Sequence, residues 1–191
     1  MSTTVHRLKV SLATVKPPVW RRIEVASDVT LAELSDLLEA AMGWLGGHLH
    51  SFDVDGVTYE RPDPDEGLYP GARNEADHQL GDALTEVGAK MRWDYDFGDG
   101  WRHTIELEAI EAVDPAINYP RCVAGRRACP PDDCGGPSGF SDLIDAIADT
   151  TDPRHDELTE WLPPGYDPAH FDPDEATDDM QAPRPLTDDW F

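Results

Sequence analysis

Positive charge is scarce in this chain: 15 Lys and Arg, only three of them Lys, stand against 39 Asp and Glu, for a net charge of -24. Non-specific affinity for nucleic acid comes mainly from Lys and Arg neutralising phosphates, so direct nucleic-acid binding is not expected. Cysteine is scarce too. An odd three, in a chain with no visible basic and apolar leader, predicts free thiols in the cytoplasm rather than a disulfide framework. No run approaches the roughly 18 apolar residues of a membrane-spanning helix, so no membrane association is expected. Common catalytic signatures are also missing. Ser51, Ser138 and Ser141 lack a Gly-x-Ser-x-Gly elbow, no glycine-rich phosphate loop precedes a helix, and no internal repeat is visible.

What is present is enough for one domain with a sizeable core: 191 residues, 39% of them hydrophobic. Acidity is concentrated late. Residues 1–60 hold five Lys/Arg against eight Asp/Glu, whereas residues 140–191 hold two against fifteen. The expected organisation is a domain over 5–180 followed by an acidic, disordered tail over 181–191.

The strongest local signal is Lys90 to Ile110. Met91, Trp93, Tyr95 and Phe97 alternate with polar residues, as do Trp101, Ile105 and Leu107, around Gly98-Asp99-Gly100. This pattern predicts a β-hairpin. A three-residue loop, with Gly100 left-handed, would pair Phe97 with Trp101, Tyr95 with His103, Trp93 with Ile105 and Met91 with Leu107. The polar face would then pair Asp96 with Arg102, Asp94 with Thr104 and Arg92 with Glu106. Cross-strand aromatic and opposite-charge pairs are each worth roughly 0.2–1 kcal/mol, which favours this register.

Elsewhere, Arg7–Leu12 and Trp20–Val25 read as a hairpin interrupted by Lys16-Pro17-Pro18, with Arg21 and Arg22 either an anion site or, as the ordinary outcome, part of a solvated strand edge. Thr30-Leu31-Ala32-Glu33 is a capping-box pattern, followed by the stripe Leu31, Leu34, Leu37, Leu38, Ala41, Met42 and a stop at Gly43. His48–Val54 and Val57–Tyr59 read as strands around an Asp55-Gly56 turn. Residues 61–77 predict an exposed, mobile loop, and 80–87 a short helix. Prolines and glycines nearly exclude regular structure over 114–137, which should nonetheless pack down. Ser138 or Ser141 would cap a helix bearing Phe140, Leu143, Ile144 and Ile147; Asp152-Pro153 would open another bearing Leu158, Trp161 and Leu162. Tyr166, Phe171 and Met180 are the late residues expected to dock. The predicted fold class is α+β: a largely antiparallel sheet of about five or six strands, three or four helices packed on it, in a β-grasp-like order.

Several segments, in this order, resemble the plasmid pRiA4b ORF-3-like family: Pro18-Val19-Trp20-Arg21-Arg22-Ile23, Ala41-Met42-Gly43-Trp44, His48-Leu49-His50-Ser51-Phe52, Tyr95 to His103, Cys122 to Gly136, and Tyr166-Asp167-Pro168. The resemblance runs from about Arg7 to Met180. It implies a small α+β protein of the kind found in bacteria and archaea beside plasmid or insertion-element genes, where some members are labelled resolvase-like passenger proteins. It brings no catalytic residues with it.

The residues offer four candidate sites. His48 and His50, two apart on an expected strand, would point to one face, and His103 could complete a zinc site; a hydrogen-bonded core histidine is the alternative for His103. Cys122, Cys129 and Cys134 could bind zinc with a borrowed fourth ligand, though their spacing is looser than a zinc ribbon's, or be small buried thiols. Asp94, Asp96, Asp99 and Gly100 partly match a calcium loop but lack its downstream glutamate. Finally, Asp94, Asp96, Asp99, Trp101, Arg102 and His103 form a candidate ligand or partner surface. The leading functional expectation is a non-enzymatic accessory or interaction module with a protein partner. The rivals are a metal-dependent enzyme using His48, His50 and His103 with Asp96 or Asp99 nearby, and a DNA-acting resolvase-like passenger protein.

Overall fold

Period-two alternation along β1 (Thr4–Leu12) and β2 (Trp20–Ala26) places Leu8 opposite Ile23 and Val10 opposite Arg21 on one face of an antiparallel ribbon. The computed structural model describes residues 3–44 and 46–182. In it this ribbon joins β3 (His50–Val54), β4 (Val57–Glu60), β5 (Arg73–Asn74), β6 (Lys90–Tyr95), β7 (Trp101–Ala112) and β8 (Arg121–Arg126). The result is one eight-stranded sheet ordered β5-β4-β3-β6-β7-β1-β2-β8. Among the described residues only β4 and β5 run parallel. The fold is α+β, with eight strands rather than five or six; these pairings do not establish a β-grasp-like order.

Among the described residues five α-helices accompany the sheet: α1 (Leu31–Met42), α2 (Leu80–Ala83), α3 (Gly136–Ala148), α4 (His155–Trp161) and α5 (Pro173–Gln181). Helix α1 starts and stops where its sequence says. Thr30 and Glu33 form both halves of the capping box, and Gly43 closes the helix in the left-handed conformation. Leu34 and Leu38 of α1, Phe140 and Leu143 of α3, and Met180 of α5 share one core with Leu8, Ile23, Trp93 and Ile105 of the sheet. The helices therefore cover a single face. Among the described residues no helix is long and apolar enough to cross a membrane.

The central hairpin keeps the predicted faces but not the predicted partners. Tyr95 pairs with Trp101, Trp93 with His103 and Met91 with Ile105, while Asp94 pairs with Arg102 and Arg92 with Thr104. The loop is therefore five residues, 96–100. Asp96 turns into the left-handed region (φ 53°), its Oδ1 accepts the Gly98 and Asp99 N–H groups at 2.9 and 3.3 Å, and its carbonyl accepts the Gly100 N–H. These bonds take Asp96 and Phe97 out of the strand. Phe97 is 54% exposed. Because the shift is by two residues, Trp93, Tyr95, Trp101 and Ile105 still share the buried side.

Other local expectations are corrected. The 114–137 stretch contains β8, which pairs with β2 and takes it off the edge. Arg21 is consequently 3% exposed. Its guanidinium donates to the carbonyls of Ala41, Trp20 and Arg126 and to Cys129 Sγ, and lies over the Phe171 ring at 4.3 Å. A Cβ at Gly125 would come within 2.5 Å of that ring, so any larger residue there would have to displace it. The 61–77 loop contributes β5 and the buried Glu75. Helix α3 begins at Gly136 with Pro137 in its first turn, not at a serine cap, and α4 begins after Arg154, whose N–H bonds the Asp152 carboxylate. Tyr166, Phe171 and Met180 all dock on the core. Gln181, placed in the expected tail, ends α5 and bonds Asn118 and Pro120; the rest of that tail beyond Ala182 lies outside the described residues.

Candidate functional site

Three loops meet at the end of the sheet where β6 turns into β7. The first follows α1, where Trp44 is buried, donates its indole N–H to Pro130 O at 2.8 Å and stacks on Tyr95 at 4.7 Å. It continues to His48, whose ring stands edge-on to Tyr95 at 5.6 Å. The second is the 96–100 loop, held to the first by Asp96 N–H donating to Leu49 O. The third leads into α3, where Gly135 N–H donates to Asp99 Oδ2 at 3.2 Å. Gly136 is pressed so close there that a Cβ would meet Asp99 O at 2.3 Å.

At this junction His48 Nδ1 lies 3.7 Å from Asp96 Oδ2, and ligand atoms of His48, Asp96 and Asp133 all fall within 4.8 Å of one another. Asp99 and Asp132 border them. Burial pushes the Asp132 carboxyl above its usual range; His48 opposes this and Asp133, Asp96 and Asp99 add to it. Among the described residues no Lys or Arg forms an ion pair with any of these four carboxylates.

The three histidines expected to converge are given different partners. His48 faces Asp96, while His50 bonds the buried Glu75 at 2.8 Å. His103 is fully buried against Trp44 and Trp93, with Nδ1 3.3 Å from Trp93 O, and burial lowers its pKa to about 3. The three cysteines are free. Burial pushes the Cys129 thiol up to about 11 and the Cys134 thiol up to about 12, which keeps both protonated and poorly nucleophilic. The calcium-like acids also separate. Asp94 lies on the opposite sheet face, accepting from Arg92 and Arg102 at 2.8 and 3.1 Å. The expected partner surface divides in the same way, with Trp101 and His103 buried on the core side of the pleat and Asp94 and Arg102 on the other.

That other side is a surface the sequence did not single out as a whole. Among the described residues no helix covers it, and it holds eight of the chain's 15 Lys and Arg residues: Arg7, Lys9, Arg22, Lys90, Arg92, Arg102, Arg121 and Arg126. Most are matched to carboxylates. Arg7 and Arg121 both reach Glu24, Arg22 reaches Glu108, Arg92 and Arg102 share Asp94, and Lys90 reaches Glu106. Burial tends to raise the Glu24 carboxyl, but the Arg121 and Arg7 guanidiniums hold it below its usual range. Half-buried Trp20 sits between the Lys9 ammonium at 5.6 Å and the Arg22 guanidinium at 5.3 Å. Beside it a shallow hollow of about 450 Å3 opens among Arg7, Arg22, Glu24, Glu108 and Arg121.

The segments 41–44, 48–52, 95–103 and 122–136 thus converge in space, and they are the ones that carried the family resemblance. The sequence model of the plasmid pRiA4b ORF-3-like protein family matches residues 4–175. The chain belongs to this family. The chain is 40% identical over 165 residues to y4hQ, an uncharacterized protein of Sinorhizobium fredii, spanning 84% of this chain and 82% of that one. Its fold is similar to the crystal structure of MM3350, a protein of unknown function from Methanosarcina mazei Go1. The two are 28% identical with a TM-score of 0.82, over 92% of this chain and 98% of that one.

Asp132, Asp133, Trp20 and Glu108 are not site residues by the sequence pattern, and Arg22 enters it only beside Arg21 as an anion site, whereas the structure buries Arg21 and pairs Arg22 with Glu108. A signal existed for the first two, since adjacent aspartates sit inside the proline- and glycine-rich motif ending at Gly136. For Trp20 and Arg22 nothing local could show that β2 is an interior strand with one bare face.

Proposed function

We propose that this protein is a non-enzymatic accessory module of its plasmid-associated family, acting in the cytoplasm by binding a partner protein across the uncovered sheet face. The observation that carries this reading is the bare face itself. An eight-stranded sheet leaves one side without a layer and sets a half-exposed tryptophan among arginines there, and Trp and Arg are the residue types that most often dominate protein interfaces. The face is close to charge-balanced on a molecule of net charge -24, so it is where another acidic protein meets least repulsion. Edge pairing is disfavoured as the mode of binding. Strand β5 is only two residues long, and on β8 the Thr177 hydroxyl accepts from Cys122 N–H and lies within hydrogen-bond reach of Cys122 O. DNA is a poorer fit, because most cations of the face already face carboxylates and have little left to offer phosphates.

The test compares proteins retained from lysate by the tagged chain with those retained by Trp20→Ala, Arg22→Ala and a helix-side control, Asp145→Asn. A specific partner retained by the parent and control, and reduced at least about tenfold by both sheet-face variants, is the expected result. Retention of nothing at working salt, or equal retention by all four proteins, overturns the reading.

A further inference from the structure

We propose that His48, Asp96 and Asp133 form a binding site for one divalent first-row transition-metal ion of the zinc class. The inference is independent of the partner surface, which lies on the other side of the sheet.

Three observations lead to it. The donors come from three separate loops, yet their ligand atoms lie within 4.8 Å of one another. The second concerns Asp96, which is only 8% exposed. Its Oδ1 is occupied by the Gly98 and Asp99 N–H groups. Its Oδ2 accepts no hydrogen bond among the described residues and faces His48 Nδ1 at 3.7 Å. The side chain is thus fixed by its first oxygen, and the second is left with a lone pair free to meet a cation. The third is an internal control. Among the described residues the other two histidine–carboxylate pairs, His50–Glu75 and His170–Glu175, close to 2.8 Å and hydrogen-bond directly. Only His48–Asp96 stands off.

That stand-off has the size of a coordination edge. Nitrogen and oxygen ligands about 2.0–2.2 Å from a common ion lie about 2.8–3.6 Å apart around a tetrahedral or octahedral centre. A small closure at His48, from 3.7 Å, together with one at Asp133, now within 4.8 Å of the other two, would reach it. The imidazole argues against magnesium and calcium, which prefer all-oxygen shells, and for zinc, cobalt or manganese. Three protein ligands leave further positions for water. The ion would tie together the loops that Gly136, Asp99 and Leu49 already bring into contact, and would offset the surplus of carboxylates there.

The experiment titrates the chelator-stripped full chain with Zn2+ by calorimetry and with Co2+ by visible absorption. One saturable equivalent is expected, with a Co2+ spectrum that changes in His48→Gln and an affinity at least about tenfold weaker in both His48→Gln and Asp133→Asn. Asp133 is exposed, so Asp133→Asn leaves the fold intact and keeps the test valid if His48→Gln is unstable. Asp156→Asn, an exposed acid elsewhere, should bind as the parent does. Absence of a saturable equivalent, indifference to Asp133→Asn, or equal weakening by Asp156→Asn would each overturn the site.

Discussion

Single side chains show how much the environment decides. His103 and His50 come from two of the motif-bearing segments and have opposite settings, one sealed among tryptophans and the other bonded to a carboxylate. His103 has a consequence for acid stability. Burial holds its folded pKa near 3 against 6.5 for the free group, so above pH 6.5 it contributes no pH dependence. Below 6.5 the unfolded chain takes up a proton that the folded chain refuses, and stability falls until about pH 3. The slope is at most roughly 1.4 kcal/mol per pH unit. His6, lowered mainly by burial, acts in the same direction. Urea midpoints of His103→Gln, measured from pH 6.5 to 4.5, should fall more gently than those of the parent by about one proton's worth of slope. Parallel curves would mean that His103 is not kept neutral.

At the level of elements, the junction of the three loops depends on close backbone approach. Gly136 (φ 68°) and Gly165 (φ 80°) are both left-handed, but a Cβ at Gly136 would strike Asp99 O whereas at Gly165 it would meet nothing within 4 Å. Gly165→Ala should therefore cost about 1–2 kcal/mol from backbone strain alone. Gly136→Ala should cost clearly more, about 2–4 kcal/mol, in equilibrium unfolding. Equal costs would show that the 96–100 loop does not sit on α3. The same elements show what the sequence could and could not reveal. Helix α1 was legible because its cap, stripe and stop are local. The apolar side of β6 and β7 was legible because alternation fixes parity. The loop length between them was not, since Asp96 and its captured N–H groups outweighed the aromatic pair that Phe97 and Trp101 would have made. Strand β8 and helix α5 were hidden for a related reason. Proline, glycine and acid obscured a short Cys122-Val123-Ala124 strand whose stability comes from β2, and an Asp172-Pro173 helix start whose apolar side is little more than Ala176 and Met180.

For the whole molecule, one sheet separates two surfaces of different character. On the helix side lies the core, and at its margin His48, Asp96 and Asp133 come together; on the other side charged residues pair across strands around Trp20. No arrangement of this kind can be read from sequence spacing, because it depends on which strands become neighbours: β2 has the sequence pattern of an edge yet lies inside, and Asp94 and Asp96, two residues apart, end up on a sheet face and in a loop. The claim that the bare face meets a protein partner can be tested directly with a photo-crosslinking residue placed at exposed Thr104, at the centre of that face, or at exposed Asp145 on α3. Crosslinks to a protein partner from Thr104 and none from Asp145 are the predicted result. Crosslinks from Asp145 alone, or none from Thr104, would contradict it.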